Sequence, residues 1–473
     1  MKKIIIFGLL LLNIITLPVF ALSLDKSVST LISKYIPNAT VGISVADDQS
    51  GKIIYGKNSS QRFVPASNMK LFTAASALFT LKSSYRFDTT VAAEAKTIKD
   101  GVLHGNLYIT FTGDPSLTST DLRLLLKQLK SKGIDEIQGD VVLDGSRFAG
   151  RDYAEGWTQD SINWSYSAPI TAISLNQNKF AITLKATSKI GSVIPARVAG
   201  YGNYFPVSST VVAATQQQAA DQCSFISNMG MTNRVTLGGC WPALKDDSVL
   251  SMAIRNPALF VRQLVANILS SNGIKLTGKT IIGKAPTNLT TLVRHRSAPL
   301  AELVKTMLKH SNNFYAGCFI KSVGADYYGT GTFANGVLAE KKLLTDKAGV
   351  DFKQMTIFDG SGQSYYDYLQ PRQIVRLLYR VDHSPIKSDF YRALPIAGQD
   401  GTLAYRMGNI RGRVHAKTGT LGAGHSSLSG YVINVQGKKL VFSILVNNAL
   451  SINRARQFQN ALVTLLYHYP FSK

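Results

Sequence analysis

The spacing of apolar positions predicts helices and a hairpin in the first part of the chain. Apolar residues recur at helical intervals over residues 24–34 and again over residues 67–81. Between them, the apolar runs 41–45 and 53–55 flank the turn-forming segment 47–51, which predicts a β-hairpin. The helix over 67–81 is apolar around much of its circumference, so we expect it to lie in the core.

From residue 85 onward, short strand-like runs alternate with single helices, and a weak internal repeat appears. The first copy contains Gly133, Ile134, Gly139 and the run 141–143, and the second contains Gly273, Ile274, Gly278 and the run 281–282. Two similar helix–strand units on either side of a segment predict one domain with a further insertion inside it. The segment between them, 191–247, is rich in Gly, Gln, Asn and Ser, as expected for that insertion.

Helical patterns return after residue 292, and the strand-like runs 428–435 and 439–446 precede a final helix over 454–467. Strands near both ends predict an α/β domain whose first and last segments share one sheet. The expected division is a signal peptide (1–21), this discontinuous domain (22–84 and 290–473), an inserted domain (85–175 and 250–289) and a nested insertion (176–249).

Composition supports a folded, exported protein. Of the 473 residues, 45% are hydrophobic and 17% charged, values typical of a globular chain. Lys2 and Lys3 precede an apolar stretch that ends in small residues around Ala21. This pattern is typical of a secretory signal cleaved after about Ala21, with an uncleaved anchor helix as the alternative. Export through such a signal predicts a periplasmic location.

The chain is strongly basic, with a formal net charge of +24. Such a surface favours anionic partners. Export argues against nucleic acid, which leaves an anionic cell-wall polymer or peripheral association with a membrane surface. The positive charges are spread along the chain, so they locate no site and leave the oligomeric state open.

Three cysteines are present. Cys223 and Cys240 enclose a loop whose closure would contribute about 3 kcal/mol, so we expect a disulfide between them. Cys318 lies in an apolar helical pattern and is expected to be a small buried side chain. No Cys/His cluster has metal-ligand spacing, and the sequence implies no cofactor.

Ser67 and Lys70 are the first candidate catalytic pair. At a spacing of three on a helix they share one face, and a partly desolvated amine there can take the proton of the hydroxyl. The same Ser-x-x-Lys spacing also begins at Ser23 and Ser384. Of the three, only Ser67 begins a core helix, and the helix N-terminus favours a developing negative charge.

Two further motifs follow in order. Ser311 and Asn313 lie between two predicted helices, where a short loop can direct side chains into a cleft. Lys417-Thr418-Gly419 occurs once, at a predicted strand edge, and its glycine permits close approach of a ligand. Ser-x-x-Lys, Ser-x-Asn and Lys-Thr-Gly together mark β-lactamases and penicillin-binding proteins.

With these motifs the chain resembles the periplasmic D-alanyl-D-alanine carboxypeptidase/endopeptidase family, the low-molecular-mass class C penicillin-binding proteins. Further matches are Thr112-Gly113-Asp114-Pro115-Ser116-Leu117, Asp144-Gly145-Ser146-Arg147-Phe148, Asp359-Gly360-Ser361-Gly362, Leu394-Pro395-Ile396-Ala397-Gly398 and Asp400-Gly401-Thr402-Leu403. The resemblance covers nearly the whole mature chain. It implies a β-lactamase-like transpeptidase domain, an antiparallel sheet with helices on both faces, carrying a large α+β insertion with a nested smaller domain.

The resemblance also implies roles and partners. Ser67 would form an acyl-enzyme with Lys70 as base, Ser311 would relay a proton to the leaving amine, and Asn313 would bind the peptide. Lys417 and Thr418, next to Gly419, would bind the terminal carboxylate, and the N–H groups of Ser67 and Thr420 would form the oxyanion hole. The implied partners are peptidoglycan stem peptides as substrates and β-lactams as covalent inhibitors.

The resemblance also bears on five further positions. Asp144 would meet the cationic end of a diaminopimelate side chain, with a turn-building role as the alternative. Asp114 and Asp359 are expected to build turns. The family often continues past Asp-Gly-Ser-Gly with Leu-Ser-Arg, whereas this chain has Tyr365 at the Arg position. Gly422 stands where relatives carry a longer polar residue.

Two other functions compete with a peptidase. A β-lactamase or esterase on the same fold is one, although no carboxylate suited to class A deacylation is evident and Ser311 replaces the Tyr of class C β-lactamases. A non-catalytic peptidoglycan-binding protein is the other, although it would be expected to lose part of the trio. Gly-x-Ser-x-Gly is absent, which disfavours a Ser-His-Asp hydrolase.

Overall fold

The computed structural model describes residues 23–95, 97–243, 245–422 and 424–471. The expected signal peptide and its cleavage site after Ala21 lie outside these residues. Within the four stretches, no helix is long and apolar enough to cross a membrane.

Eleven α-helices are found in the described part of the chain. They are α1 (Leu24–Tyr35), α2 (Met69–Leu81), α3 (Ser119–Ser131), α4 (Gln216–Asp221), α5 (Pro257–Ser271), α6 (Leu300–His310), α7 (Asn313–Tyr328), α8 (Phe333–Ala348), α9 (Pro371–Asp382), α10 (Lys387–Ala393) and α11 (Ile452–His468). The helices expected at 24–34, 67–81 and 454–467 correspond to α1, α2 and α11.

The strands are β1 (Thr40–Asp47), β2 (Ile53–Lys57), β3 (Asp88–Ala93), β4 (Ile98–Lys99), β5 (Val102–Leu103), β6 (Leu107–Phe111), β7 (Glu136–Ile137), β8 (Val141–Asp144), β9 (Lys179–Leu184), β10 (Ala196–Val198), β11 (Val207–Ser209), β12 (Val212–Ala214), β13 (Ile226–Met229), β14 (Val235–Gly238), β15 (Cys240–Pro242), β16 (Ser248–Ala253), β17 (Lys275–Leu276), β18 (Thr280–Ile282), β19 (Thr290–Arg296), β20 (Val414–Leu421), β21 (His425–Ile433) and β22 (Lys439–Asn447).

The first and last segments share one antiparallel sheet, as the sequence predicts. Its order is β2-β1-β22-β21-β20, so β1 pairs with β22 across nearly the whole chain. Side chains alternate along β22: Val441 and Leu445 pack with α2 and α9, whereas Phe442 and Ile444 pack with α1 and α11. Because both faces carry helices, the strand is buried from Leu440 to Asn447, with Ser443 as the polar residue in its middle. The antiparallel sheet covered on both faces is confirmed.

The inserted region has its own five-stranded sheet, of order β18-β8-β6-β3-β19. The two copies of the internal repeat lie side by side there, because β8 pairs with β18 in parallel. A Cβ on Gly139 would lie 2.4 Å from Gly105 O, and one on Gly278 would lie 2.3 Å from Gly139 O, so each copy needs its glycine for close backbone approach.

The same sheet extends past the expected domain boundary at residue 289, because β19 pairs with β3 along its length. The division into domains otherwise stays a prediction. Inside the region, Cys223 and Cys240 form the expected disulfide, with a Cα–Cα distance of 5.9 Å. Cys318 is a buried free thiol on α7, as expected.

Helix α2 lies at the centre of the larger core. Its residues from Met69 to Leu78 are all buried, and it packs against α6, α7 and α8. Ala and Leu dominate this helix, and both are strong helix formers that tolerate burial on every side. Its first residue is Met69, two residues later than the sequence indicates, because Ser67 belongs to a short 3-10 turn, Ala66–Asn68.

Candidate active site

The 3-10 turn that carries Ser67 is held between α2 and the main sheet. Ser427 on β21 donates its hydroxyl proton to Pro65 O at 2.7 Å, and Asn68 Nδ2 donates to Ser429 Oγ at 2.6 Å. These two hydrogen bonds fix the turn against β21. The Ser67 hydroxyl therefore projects from a rigid element rather than from a loose loop.

Gly419 allows strand β20 to lie against this turn. A Cβ at Gly419 would be 2.1 Å from Ser427 Oγ and 2.9 Å from Ser67 N, distances too short for any side chain. The glycine of Lys-Thr-Gly thus permits the strand to approach Ser67 itself, in addition to the approach of a ligand that the sequence suggests.

Lys70 contacts three oxygen atoms. Its Nζ lies 2.9 Å from Ser67 Oγ, 2.6 Å from Asn313 Oδ1 and 2.7 Å from the carbonyl oxygen of Ser361. Burial lowers the pKa of Lys70 to about 7, and the charge of Asp359 opposes that shift. A neutral amine keeps two protons, which the two carbonyl acceptors satisfy, and its lone pair then faces the Ser67 hydroxyl.

Ser311 and Asn313 lie at the junction of α6 and α7. Ser311 ends α6 in the left-handed conformation, with φ +55°, which is uncommon for a residue with a side chain and turns the backbone sharply. Asn312 caps α7 by accepting a hydrogen bond from Tyr315 N. Asn313 Nδ2 donates to Tyr166 O at 2.8 Å and to Gln363 Oε1 at 2.9 Å.

Lys417, from the Lys-Thr-Gly motif, lies next to Ser311. Its Nζ donates to Ser311 Oγ at 2.8 Å and to Thr418 O at 2.6 Å. The ammonium is fully buried, and burial together with the charge of Lys70 holds the pKa of Lys417 well below its usual range. The three motifs thus meet in one site, which contains Ser67, Lys70, Ser311 and Lys417.

Asp359 organises the loop that completes the base of the site. Its buried carboxylate accepts hydrogen bonds from the backbone N–H groups of residues 361–364, and also from the Ser361 hydroxyl. It further accepts from Trp157 Nε1 of the inserted region at 2.7 Å. This is the turn-building role expected from the sequence. It holds the Ser361 carbonyl against Lys70.

A cavity of about 410 Å³ opens above Ser67. It is lined by Ser67, Thr158, Ser161, Tyr166, Ser311, Asn313, Gly362, Gln363, Tyr365, Thr420, Leu421 and Gly422. Sequence reasoning missed Thr158, Ser161 and Tyr166, because they come from the inserted region and belong to no catalytic motif. None of the described lining residues is Asp or Glu.

Asp144 is absent from the described residues that line this cavity. Its carboxylate accepts hydrogen bonds from Ser146 N at 2.8 Å and from Ala285 N at 3.0 Å, at the end of β8. Asp114 similarly accepts from the N–H and hydroxyl groups of Ser116. The contacts of Asp144 therefore support the turn-building alternative rather than a contact with substrate.

The other two Ser-x-x-Lys pairs have different surroundings. Ser23 caps α1 by accepting from Lys26 N at 3.3 Å. Ser384 donates its hydroxyl proton to Val381 O, and Lys387 forms an ion pair with Asp382. Neither serine faces its lysine, whereas Ser67 does.

Comparison with known proteins agrees with this geometry. The sequence matches the D-Ala-D-Ala carboxypeptidase 3 (S13) family over residues 24–469. It is 31% identical over 468 residues to the D-alanyl-D-alanine carboxypeptidase DacB of Haemophilus influenzae, a match that covers 96% of each chain. It is 30% identical over 452 residues to the D-alanyl-D-alanine carboxypeptidase of Actinomadura sp., covering 92% of this chain and 82% of that one.

The fold agrees as well. The crystal structure of penicillin binding protein 4 from Haemophilus influenzae superimposes with a TM-score of 0.87 at 31% identity, covering 93% of this chain and 99% of that one. The same protein complexed with a β-lactam gives a TM-score of 0.82 at 29% identity, with the same coverage. From its sequence and its fold together, the chain belongs to the D-Ala-D-Ala carboxypeptidase 3 (S13) family.

Proposed function

We propose that the chain is a serine-type DD-peptidase that acts on peptidoglycan stem peptides and their cross-links through an acyl-enzyme at Ser67. The observation that carries this proposal is the position of Lys70, whose Nζ lies 2.9 Å from Ser67 Oγ with its other two contacts made to carbonyl oxygens. The amine can accept the Ser67 proton at neutral pH, because burial lowers its pKa to about 7.

In acylation, Ser67 Oγ attacks the carbonyl carbon of the penultimate D-Ala while Lys70 takes the hydroxyl proton. The tetrahedral intermediate then collapses, and the bond from that carbon to the leaving nitrogen breaks. The leaving amine needs a proton, which Ser311 delivers. Lys417, 2.8 Å from Ser311 Oγ, can return a proton to it. Lys70 then loses its extra proton to solvent and Lys417 takes one up, which resets both amines. Water attacks the ester carbon, the bond from that carbon to Ser67 Oγ breaks, and the proton that water gives up restores the Ser67 hydroxyl.

The residues around the Lys-Thr-Gly strand would recognise the substrate. For the carboxylate of the substrate or of a β-lactam, Lys417 presents a buried amine, and Thr418 presents a hydroxyl that donates to Thr402 Oγ1 in the free protein. The backbone N–H groups of Ser67 and Thr420 form the oxyanion hole, and removal of one such donor typically costs about 3 kcal/mol in the barrier. Asn313 holds Tyr166 and Gln363 in the peptide-binding wall.

The leaving group decides which reaction is performed. Release of a terminal D-Ala is carboxypeptidase activity, and release of the amine of a neighbouring stem is endopeptidase activity. The bond broken is of the same type in both, so one catalytic group serves both reactions. The basic surface and the N-terminal signal pattern support action on anionic cell-wall polymer in the periplasm, and they leave peripheral membrane association open.

Fluorescent penicillin tests the catalytic proposal. We expect wild-type protein to be labelled covalently and Ser67→Ala to take no label. Ser384→Ala is the matched control, because it removes a hydroxyl at the same Ser-x-x-Lys spacing and should label fully. Folded wild-type protein that takes no label would support a binding protein without catalysis. Label that is released within seconds would support a β-lactamase.

Purified muropeptides test the substrate proposal. We expect wild-type protein to trim pentapeptide monomers and to cleave cross-linked dimers, and we expect penicillin pretreatment to stop both. Trimming without dimer cleavage would remove the endopeptidase part and leave the carboxypeptidase part intact.

A further inference from the structure

Arg456 on α11 reaches the rim of the active site from outside the three motifs. Its Nη2 donates to Thr420 Oγ1 at 3.3 Å, and its side chain is exposed to solvent. Thr420 lines the cavity above Ser67. A guanidinium group therefore lies beside the wall where a substrate carboxylate would bind.

No carboxylate in the described part of the chain neutralises the charge of Arg456. Among the described residues no carboxylate lies within ion-pair distance of its guanidinium. Its cationic neighbour Arg406 donates to Arg456 O at 3.4 Å, and burial together with the charge of Arg456 lowers the pKa of Arg406 to about 10. An anion at the cavity rim would offset this repulsion.

The hydroxyl groups of Thr418 and Thr420 differ in whether their proton is already donated within the protein. Thr418 already donates its proton to Thr402 Oγ1 at 2.7 Å. Thr420 instead accepts from Arg456, so its own proton remains for an acceptor in the cavity. A donor that accepts from a cation is also a stronger donor, because hydrogen bonds in a chain polarise one another.

We propose that Arg456 is a positioning residue for carboxylate recognition: it orients the Thr420 hydroxyl proton into the cavity and adds positive charge there, which selects ligands with a free carboxylate. This inference rests on the proposed acylation of Ser67. It extends the carboxylate site beyond Lys417 and Thr418 to a residue of the C-terminal helix.

Two probes that differ only at the carboxylate test this role. The second-order acylation rate of Ser67 is measured with benzylpenicillin and with benzylpenicillin methyl ester, for wild type, Arg456→Gln and Arg456→Lys. We expect Arg456→Gln to lose roughly tenfold with the acid and less than about twofold with the ester. Arg456→Lys should recover part of the loss with the acid, because it restores the charge.

Arg454→Gln is the matched control. It removes the same charge from the same helix, but the Arg454 guanidinium donates to Lys34 O, at the far end of α1. We expect its rates with both probes to equal those of wild type. Equal losses with acid and ester in Arg456→Gln, or no loss with either, would overturn the inference. Wild-type protein that reacts with neither probe would instead overturn the proposed function.

Discussion

The hydroxyl oxygen of Tyr365 occupies the space that a side chain on Gly422 would need. A Cβ at Gly422 would lie 2.0 Å from Tyr365 Oη and 3.1 Å from Tyr365 Cζ, and both residues line the cavity above Ser67. These are two positions at which the resemblance described above leads us to expect other residues. The structure joins them into one feature, since the tyrosine hydroxyl requires a glycine opposite.

Gly422→Ala is expected to slow acylation by penicillin through this contact. The new methyl group displaces the Tyr365 ring into the cavity, and overpacking of this kind typically costs about 1–3 kcal/mol. Tyr365→Phe alone should change the rate little. The double substitution should recover most of the loss, because removal of Oη leaves Cζ at 3.1 Å as the nearest ring atom.

A double-mutant cycle on the acylation rate measures this coupling. Gly422 has φ +48°, so alanine also introduces backbone strain that Tyr365→Phe cannot remove. Because this strain is present in both Gly422→Ala and the double variant, both should keep a residual loss of acylation rate. Strictly additive effects of the two substitutions would show that the two side chains do not compete for space.

The acylation rate should rise with pH through a midpoint of about 7, because neutral Lys70 is the base. Below the midpoint the ammonium predominates, and the rate falls with the neutral fraction. Stopped-flow acylation by penicillin between about pH 5 and pH 9 gives the profile. Lys70→Arg should be slower by roughly a hundred- to ten-thousandfold without this midpoint, since a guanidinium does not deprotonate. A wild-type profile that stays flat across that range would remove Lys70 from the role of base.

The residues of the candidate site can be picked out from the sequence because each belongs to a local pattern. Ser67 and Lys70 share a helical face, and Ser311 lies between two helices, so their placement depends on periodicity. The shared sheet of β1 and β22 follows from strand-like runs at both ends of the chain. The parallel pairing of β8 with β18 follows from no local signal, although the repeat itself is visible.

The walls of the cavity could not be predicted in this way. Tyr166 contacts Asn313 through its backbone carbonyl oxygen, which accepts a hydrogen bond from the Asn313 amide. Because every residue has a carbonyl, the residue type does not reveal this contact. Arg456 lies on an amphipathic helix where exposed arginines are common. Asp144 shows the opposite case: its motif is recognisable, but its carboxylate accepts from the backbone N–H groups of Ser146, in its own turn, and of Ala285.

Removal of the disulfide is expected to destabilise the protein without affecting acylation. Cys223 and Cys240 are 17 residues apart, and closure of a loop of that size contributes about 3 kcal/mol. No described residue between them lines the active-site cavity. Cys223→Ser with Cys240→Ser should therefore lower the midpoint of thermal unfolding and keep the penicillin acylation rate within about twofold of wild type. A folded variant with strongly reduced acylation would show that the nested segment shapes the site.

Asn313→Asp should shift the pH profile of acylation upward. Lys70 Nζ lies 2.6 Å from Asn313 Oδ1, and a carboxylate there would favour the ammonium form, raising the pKa of Lys70 by about 1–3 units. The neutral base then forms only at higher pH, so the midpoint moves up by the same amount. Asn312→Asp is the control, because it adds equal charge one residue away and keeps the α7 cap. An unchanged midpoint in Asn313→Asp would show that another group controls the rate.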